Sequence, residues 1–72
     1  MSFQSYLDNI EEKTGNSPSD FQELAAAKNF TDGDKVKTGI KAGEIVAWLK
    51  EDYGLGHGHA MAIYAYLNGK RS

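Results

Sequence analysis

The sequence predicts an all-α fold, a compact bundle of about four short helices with no sheet. Three observations carry that expectation. Apolar residues recur with a 3.6-residue period in separate windows, capping residues and glycines bound those windows at helical lengths, and no two alternating segments offer each other a strand partner. A chain of 72 residues has room for one core, so residues 1–72 are expected to form a single helical domain.

The first helix is expected near residues 2–14. Phe3, Tyr6, Leu7 and Ile10 fall at i, i+3, i+4 and i+7, with Asp8, Glu11, Glu12 and Lys13 on the other face. Ser2 can cap its start, and Gly15 sits where a left-handed cap belongs. A second helix is expected near 18–29, because Ser17-Pro18-Ser19-Asp20 places a capping hydroxyl ahead of proline and an acid in the first turn. Phe21, Leu24 and Ala25 form its apolar stripe. The short link from Gly15 to Pro18 makes the two helices neighbours.

Residues 30–40 read as an ordered loop. Asp32-Gly33-Asp34 is turn chemistry, and Val36, Thr38, Ile40 and Ala42 then alternate with Lys35, Lys37, Gly39 and Lys41. That period of two mimics a strand, but no partner segment is evident. The third helix is expected near 41–53, with Ala42, Ile45, Val46, Leu49 and Tyr53 on one face and Gly54 as its stop. Its start is obscured by Gly39 and Gly43. The fourth is expected near 58–68, and Ala60 to Leu67 carries no charge on any face. Such a helix either threads the middle of the bundle or meets a partner with its back face. The expected core comprises Phe3, Leu7, Ile10, Phe21, Leu24, Ile45, Leu49, Ile63 and Leu67.

Composition excludes several classes. There are no cysteines, which removes disulfides, thiol nucleophiles and thiolate metal sites. The apolar run from Ala60 to Leu67 falls well short of the roughly 20 residues a bilayer demands, and the N-terminus lacks a secretory pattern. A cytoplasmic protein with no membrane association is expected. The net charge of −2 divides unevenly. Residues 1–34 carry seven acids against Lys13 and Lys28, and residues 35–72 carry six bases against Glu44, Glu51 and Asp52.

Gly54-Leu55-Gly56-His57-Gly58-His59 is the densest special chemistry in the chain, and three readings of it stand. As a structural joint, Gly54 caps helix three, Leu55 plugs the core, and Gly56 and Gly58 supply backbone angles a side chain would oppose. As an anion site, Gly54, Gly56, His57, Gly58 and His59 present amides at the positive end of the last helix, which suits phosphate or nucleic acid. The turn also resembles that of helix-hairpin-helix DNA-binding modules, whose hydrophobic-Gly-X-Gly backbone contacts phosphates. As a metal or acid–base site, His57 and His59 lack further ligands and an orienting partner. No metal, cofactor or catalytic residue is therefore expected.

Lys41-Ala42-Gly43-Glu44-Ile45-Val46-Ala47-Trp48-Leu49-Lys50 and Gly54-Leu55-Gly56-His57-Gly58-His59-Ala60-Met61-Ala62-Ile63 are similar to the core motif of a small bacterial family, domain-of-unknown-function family 4287. Ser2-Phe3-Gln4-Ser5-Tyr6-Leu7 and Glu12-Lys13-Thr14-Gly15 resemble that family's start. The resemblance implies a bacterial cytoplasmic protein and no particular activity. The leading functional expectation is a non-enzymatic protein-interaction module, contacting a partner or a second copy of itself through Trp48, Met61 and Tyr66. The alternative is a phosphate- or nucleic-acid-binding module using the 54–59 turn.

Overall fold

The structure, a computed structural model, describes residues 2–70. Helix α1 (Phe3–Thr14) is capped by Ser2, whose hydroxyl accepts from the Ser5 amide at 3.2 Å. It stops at Gly15, left-handed at φ 75°, whose N–H donates to the Glu11 carbonyl at 2.8 Å. Helix α2 (Pro18–Ala27) opens on a reciprocal cap. The Ser17 hydroxyl accepts from the Asp20 amide at 3.2 Å, and the Asp20 carboxylate accepts from the Ser17 amide at 2.9 Å, which satisfies two donors at the helix entrance.

Helix α2 ends earlier than residue 29. Asn29 is left-handed, at φ 63°, so the chain leaves the helix after Ala27. The Asn29 and Phe30 amides turn back to the carbonyls of Ala26 and Ala25 at 3.0 and 2.9 Å, the Schellman arrangement. Asparagine enters this region more readily than other side chains. In the sequence, that signal is masked by the helix-forming alanines before it.

The segment expected to be a loop contains a small sheet, which corrects the expectation of none. Strands β1 (Thr31–Asp32) and β2 (Lys35–Val36) pair antiparallel, with Thr31 opposite Val36 and Asp32 opposite Lys35. Gly33 has φ 68° while Asp34 does not have positive φ, the pattern of a II′ hairpin turn. The partner of the alternating segment is thus immediately upstream, in two residues too few to show a period. A hairpin this short is marginal by itself, and the bundle holds it. Thr31 is buried, the Gln22 side-chain amide donates to the Gly33 carbonyl at 3.1 Å, and the Val36 amide donates to Asn68 Oδ1 at 3.2 Å. Beyond Val36 the alternation builds no strand, because the Ile40 amide turns back to the Lys37 carbonyl.

Helix α3 (Ala42–Tyr53) starts with only half a cap: the Lys41 amide donates to the Glu44 carboxylate at 3.0 Å, and lysine has no oxygen to return. Helix α4 (His57–Leu67) runs back from the turn and exits through Gly69 at φ 100°. It packs against α1, α2 and α3, which explains why a helix in so small a bundle needs apolar residues on three sides. Ala60, Ile63 and Leu67 of α4 are fully buried, among Leu7, Ile10, Phe21, Ile45 and Leu49. Phe3 and Leu24, also expected in the core, are partly buried and pack against its edge.

Tyr53 closes one side of this core, edge-on to Phe21 at 5.1 Å and to Trp48 at 5.9 Å. Burial, and then the neighbouring Asp52 charge, raises its phenol pKa above the usual 10.0. The folded state therefore holds this proton more tightly than the unfolded chain does. Its contribution to stability is complete below pH 10 and is lost as pH climbs through the higher folded value. Urea titrations should show stability falling from about pH 10 upward, and Tyr53→Phe should make that fall shallower.

Candidate functional site

The turn between α3 and α4 is built differently at each glycine. Gly54 is left-handed at φ 66°, and its N–H caps α3 on the Lys50 carbonyl at 3.1 Å. Leu55 is buried in the core. Gly56, the N-cap of α4, has φ −72° and ψ 169°, and Gly58 lies within the first turn of that helix, so neither conformation excludes a side chain. A Cβ added at Gly56 would meet nothing within 4 Å, and one at Gly58 only the Tyr6 ring at 3.8–3.9 Å, an ordinary contact. This corrects the expectation that Gly56 and Gly58 relieve backbone strain; Gly54 alone of the three does so. Gly54→Ala should cost about 1–2 kcal/mol in urea denaturation, and Gly58→Ala should stabilise by roughly 0.5–1 kcal/mol.

The entrance of α4 has neither a capping side chain nor an acid in its first turn. The amides of His57, Gly58 and His59 precede the first helical hydrogen bond, from Ala60 to Gly56, so they sit at the positive end of the helix. His57 is exposed, and His59 is half-buried with its ring edge-on to Tyr6 at 5.2 Å. Two positions apart on a helix, the histidines point away from each other. Among the described residues, no three His, Asp or Glu side chains gather in a metal-binding set.

The lysines of the C-terminal half do not converge on this turn. Lys35 and Lys37 flank Val36, whose amide bonds Asn68 just beyond the far end of α4. Lys41 caps the start of α3, the end remote from Gly54, and Lys70 follows the α4 exit. Since α4 has 11 residues, its exit lies about 16 Å from its entrance. Lys50, in the last turn of α3, is the lysine of that half at the turn.

A groove opens beside the turn, along the face of α4 that its neighbours leave uncovered. Gly58, Met61, Ala62 and Ala65 form its floor at i, i+3, i+4 and i+7, Phe3 and Tyr6 of α1 form a wall, and Lys70 stands at one end. The Lys70 ammonium lies 5.1 Å from the centre of the Phe3 ring, a cation–π contact. At about 330 Å³, it sits at the low end of the roughly 300–1,000 Å³ typical of small-molecule pockets. Lying open along a helix, it suits one face of a chain segment better than an enclosed small ligand.

The three residues expected on a contact surface are dispersed. Met61 is the exposed large hydrophobic among the described residues, at 36%, and it lies in the groove. Tyr66 is half-buried against the core. Trp48 is buried at 6% exposure, between the rings of Phe30 and Tyr53, with the Lys28 ammonium 5.9 Å from its ring. Its placement in the core removes it from any contact surface; on the helical period it lies only one step from the buried stripe. Phe3, expected in the core, borders the groove together with Tyr6 of the same α1 stripe, both partly buried. The available signal was that α1 presents two aromatic rings three residues apart next to a helix with apolar residues to spare. Among the described residues, no helix is long and apolar enough to cross a membrane.

The family model described as Domain of unknown function (DUF4287) matches residues 2–69, and the chain belongs to that family. Neither the curated proteins nor the solved structures include a significant match.

Proposed function

We propose that this member of the DUF4287 family is a non-enzymatic docking module whose binding face is the groove between α1 and α4. The observation that carries the reading is the groove itself: Met61 stands exposed among Phe3, Tyr6, Ala62 and Ala65 on a helix whose other sides are used by the bundle. Gly58 supports it. Glycine there costs helix stability without a conformational need, and it removes a side chain where an incoming backbone would approach the groove floor. Gly43 is equally unconstrained near the start of α3 but does not line this groove, so Gly58 is set apart by its location.

The test is an amide NMR titration with a neutral, end-capped amphipathic helical peptide bearing a leucine stripe and glutamine elsewhere. Saturable shifts at Gly58, Met61, Ala62 and Ala65 are expected, and Met61→Asp should abolish them without lowering the melting temperature by more than a few degrees. Unmoved groove amides at millimolar peptide would contradict the reading.

A second reading, anion binding at the α4 entrance, is favoured by the uncapped amides of His57, Gly58 and His59. It lacks the support of the basic residues, most of which lie at the opposite end of α4. Titration with inorganic phosphate and short DNA at low salt distinguishes the two: the docking reading expects the amides of residues 57–59 to stay still.

A further inference from the structure

Asn68 ties the end of α4 to the hairpin, and it precedes Gly69. Of the chain's four asparagines, Asn9, Asn16, Asn29 and Asn68, it is the one followed by glycine. An asparagine in that setting is chemically labile. The Gly69 backbone nitrogen, uncrowded by any side chain, gives up its proton to hydroxide and attacks the Asn68 side-chain carbonyl carbon. The new N–C bond closes a five-membered cyclic imide, and the Cγ–Nδ2 bond breaks to release ammonia, whose last proton comes from water. Water then opens either side of the imide, leaving aspartate or its isoaspartyl isomer at position 68.

The fold opposes each requirement of ring closure. The Gly69 N–H donates to the Tyr66 carbonyl at 3.0 Å, so the nucleophile is engaged. The Asn68 carboxamide oxygen accepts from the Val36 amide at 3.2 Å, which fixes the electrophile. Asn68 has ψ 12°, which aligns the Gly69 nitrogen with Asn68's own nitrogen, whereas the ring requires it alongside Cβ. We infer that Asn68-Gly69 is a deamidation site held closed by the native fold, which reacts with solvent water when the α4 exit parts from the hairpin. Asn68 is exposed, so geometry rather than access to water sets the rate. Either product puts a negative charge at the negative end of α4. The isoaspartyl form also adds a main-chain carbon where the Gly69 and Lys70 amides bond back to Tyr66 and Ala65. Reaction therefore weakens the clasp that restrains it.

Val36 offers a way to test that clasp. It lies opposite Thr31 at a position where the ladder leaves its amide free for Asn68, because the neighbouring Lys37 amide takes the Phe30 carbonyl. The intact chain is incubated in mildly alkaline buffer with and without guanidinium chloride, digested in acid, and mapped by mass spectrometry. In denaturant Asn68 should deamidate ahead of the other asparagines, and in native buffer it should react roughly tenfold more slowly or less, since the fold must first open locally. Asp32-Gly33 reaches the same ring by loss of water and returns to an unchanged mass, so the mass readout singles out asparagine. Val36→Pro removes the donor to Asn68 without breaking the ladder. It should speed the native rate about threefold to tenfold, as one lost hydrogen bond allows, and leave the denatured rate unchanged. Circular dichroism checks that the variant is folded, and the wild-type comparison stands without it. Equal native and denatured rates, a different asparagine reacting first in denaturant, or a folded Val36→Pro chain at the wild-type native rate would overturn the proposal.

Discussion

Ile63→Asp should leave little folded protein at 25 °C. Ile63 is fully buried in α4, the helix that touches all three others, so the new carboxylate would have no route to solvent without separating the helices. Burying an unpaired charge costs several kcal/mol even after relaxation and pKa adjustment, and the lost isoleucine contacts add roughly 2–4 kcal/mol more. A domain of 72 residues has a total stability of about 4–11 kcal/mol at ordinary values per residue. The substitution consumes most or all of that. Far-ultraviolet circular dichroism should show loss of helix, and urea should produce no cooperative transition. A cooperative melt near that of the wild type would mean that Ile63 is not enclosed.

Phe21→Ala should follow with a loss of about 3–5 kcal/mol. Phe21 is fully buried and meets the Tyr53 ring edge-on at 5.1 Å, so truncation leaves a cavity lined by an aromatic ring that keeps only its Trp48 contact. In so small a domain the neighbouring helix could move in to fill part of the void, which would set the lower end of the range. Denaturation in urea should show a reduced midpoint with an unchanged slope. Phe21→Leu should recover a good part of the loss, since shape is changed there more than volume is removed.

Much of the helical layout was legible from local chemistry. Ser17-Pro18 with Asp20 names the entrance of α2, and Gly15 and Gly54 name the exits of α1 and α3, because capping is a contest among neighbours in sequence. What escaped detection depends on contacts distant in sequence. The β1–β2 hairpin is held by Gln22 and Asn68, neither of which is near it in the chain. The end of α2 at Ala27 is a local exception, since it depends on Asn29 adopting a left-handed conformation against the pull of three alanines. Trp48 lies one step off the α3 stripe, but Phe30 arrives from the hairpin to cover it, and no period along α3 could reveal that. The groove was half-visible: Met61 stood out as an apolar residue beyond the core stripe, while the roles of Phe3 and Tyr6 depend on how α1 lies on α4.

The turn that drew attention in the sequence has thus divided into two parts. Gly54 and Leu55 serve the fold, while Gly56 and Gly58 answer to no conformational demand, and Gly58 opens onto the groove. The uncharged α4 accordingly serves as core on three sides and leaves on the fourth the face proposed for docking.

That division is tested most directly by thermal unfolding of four single aspartate variants along α4, at Ala60, Met61, Ile63 and Leu67. The expected result is that Met61→Asp stays within about 1 kcal/mol of the wild type, the cost of helix propensity alone, while the other three lose cooperative folding. If Met61→Asp collapses with the rest, α4 has no open face and the groove is not a binding surface; if all four melt normally, α4 is not the centre of the fold.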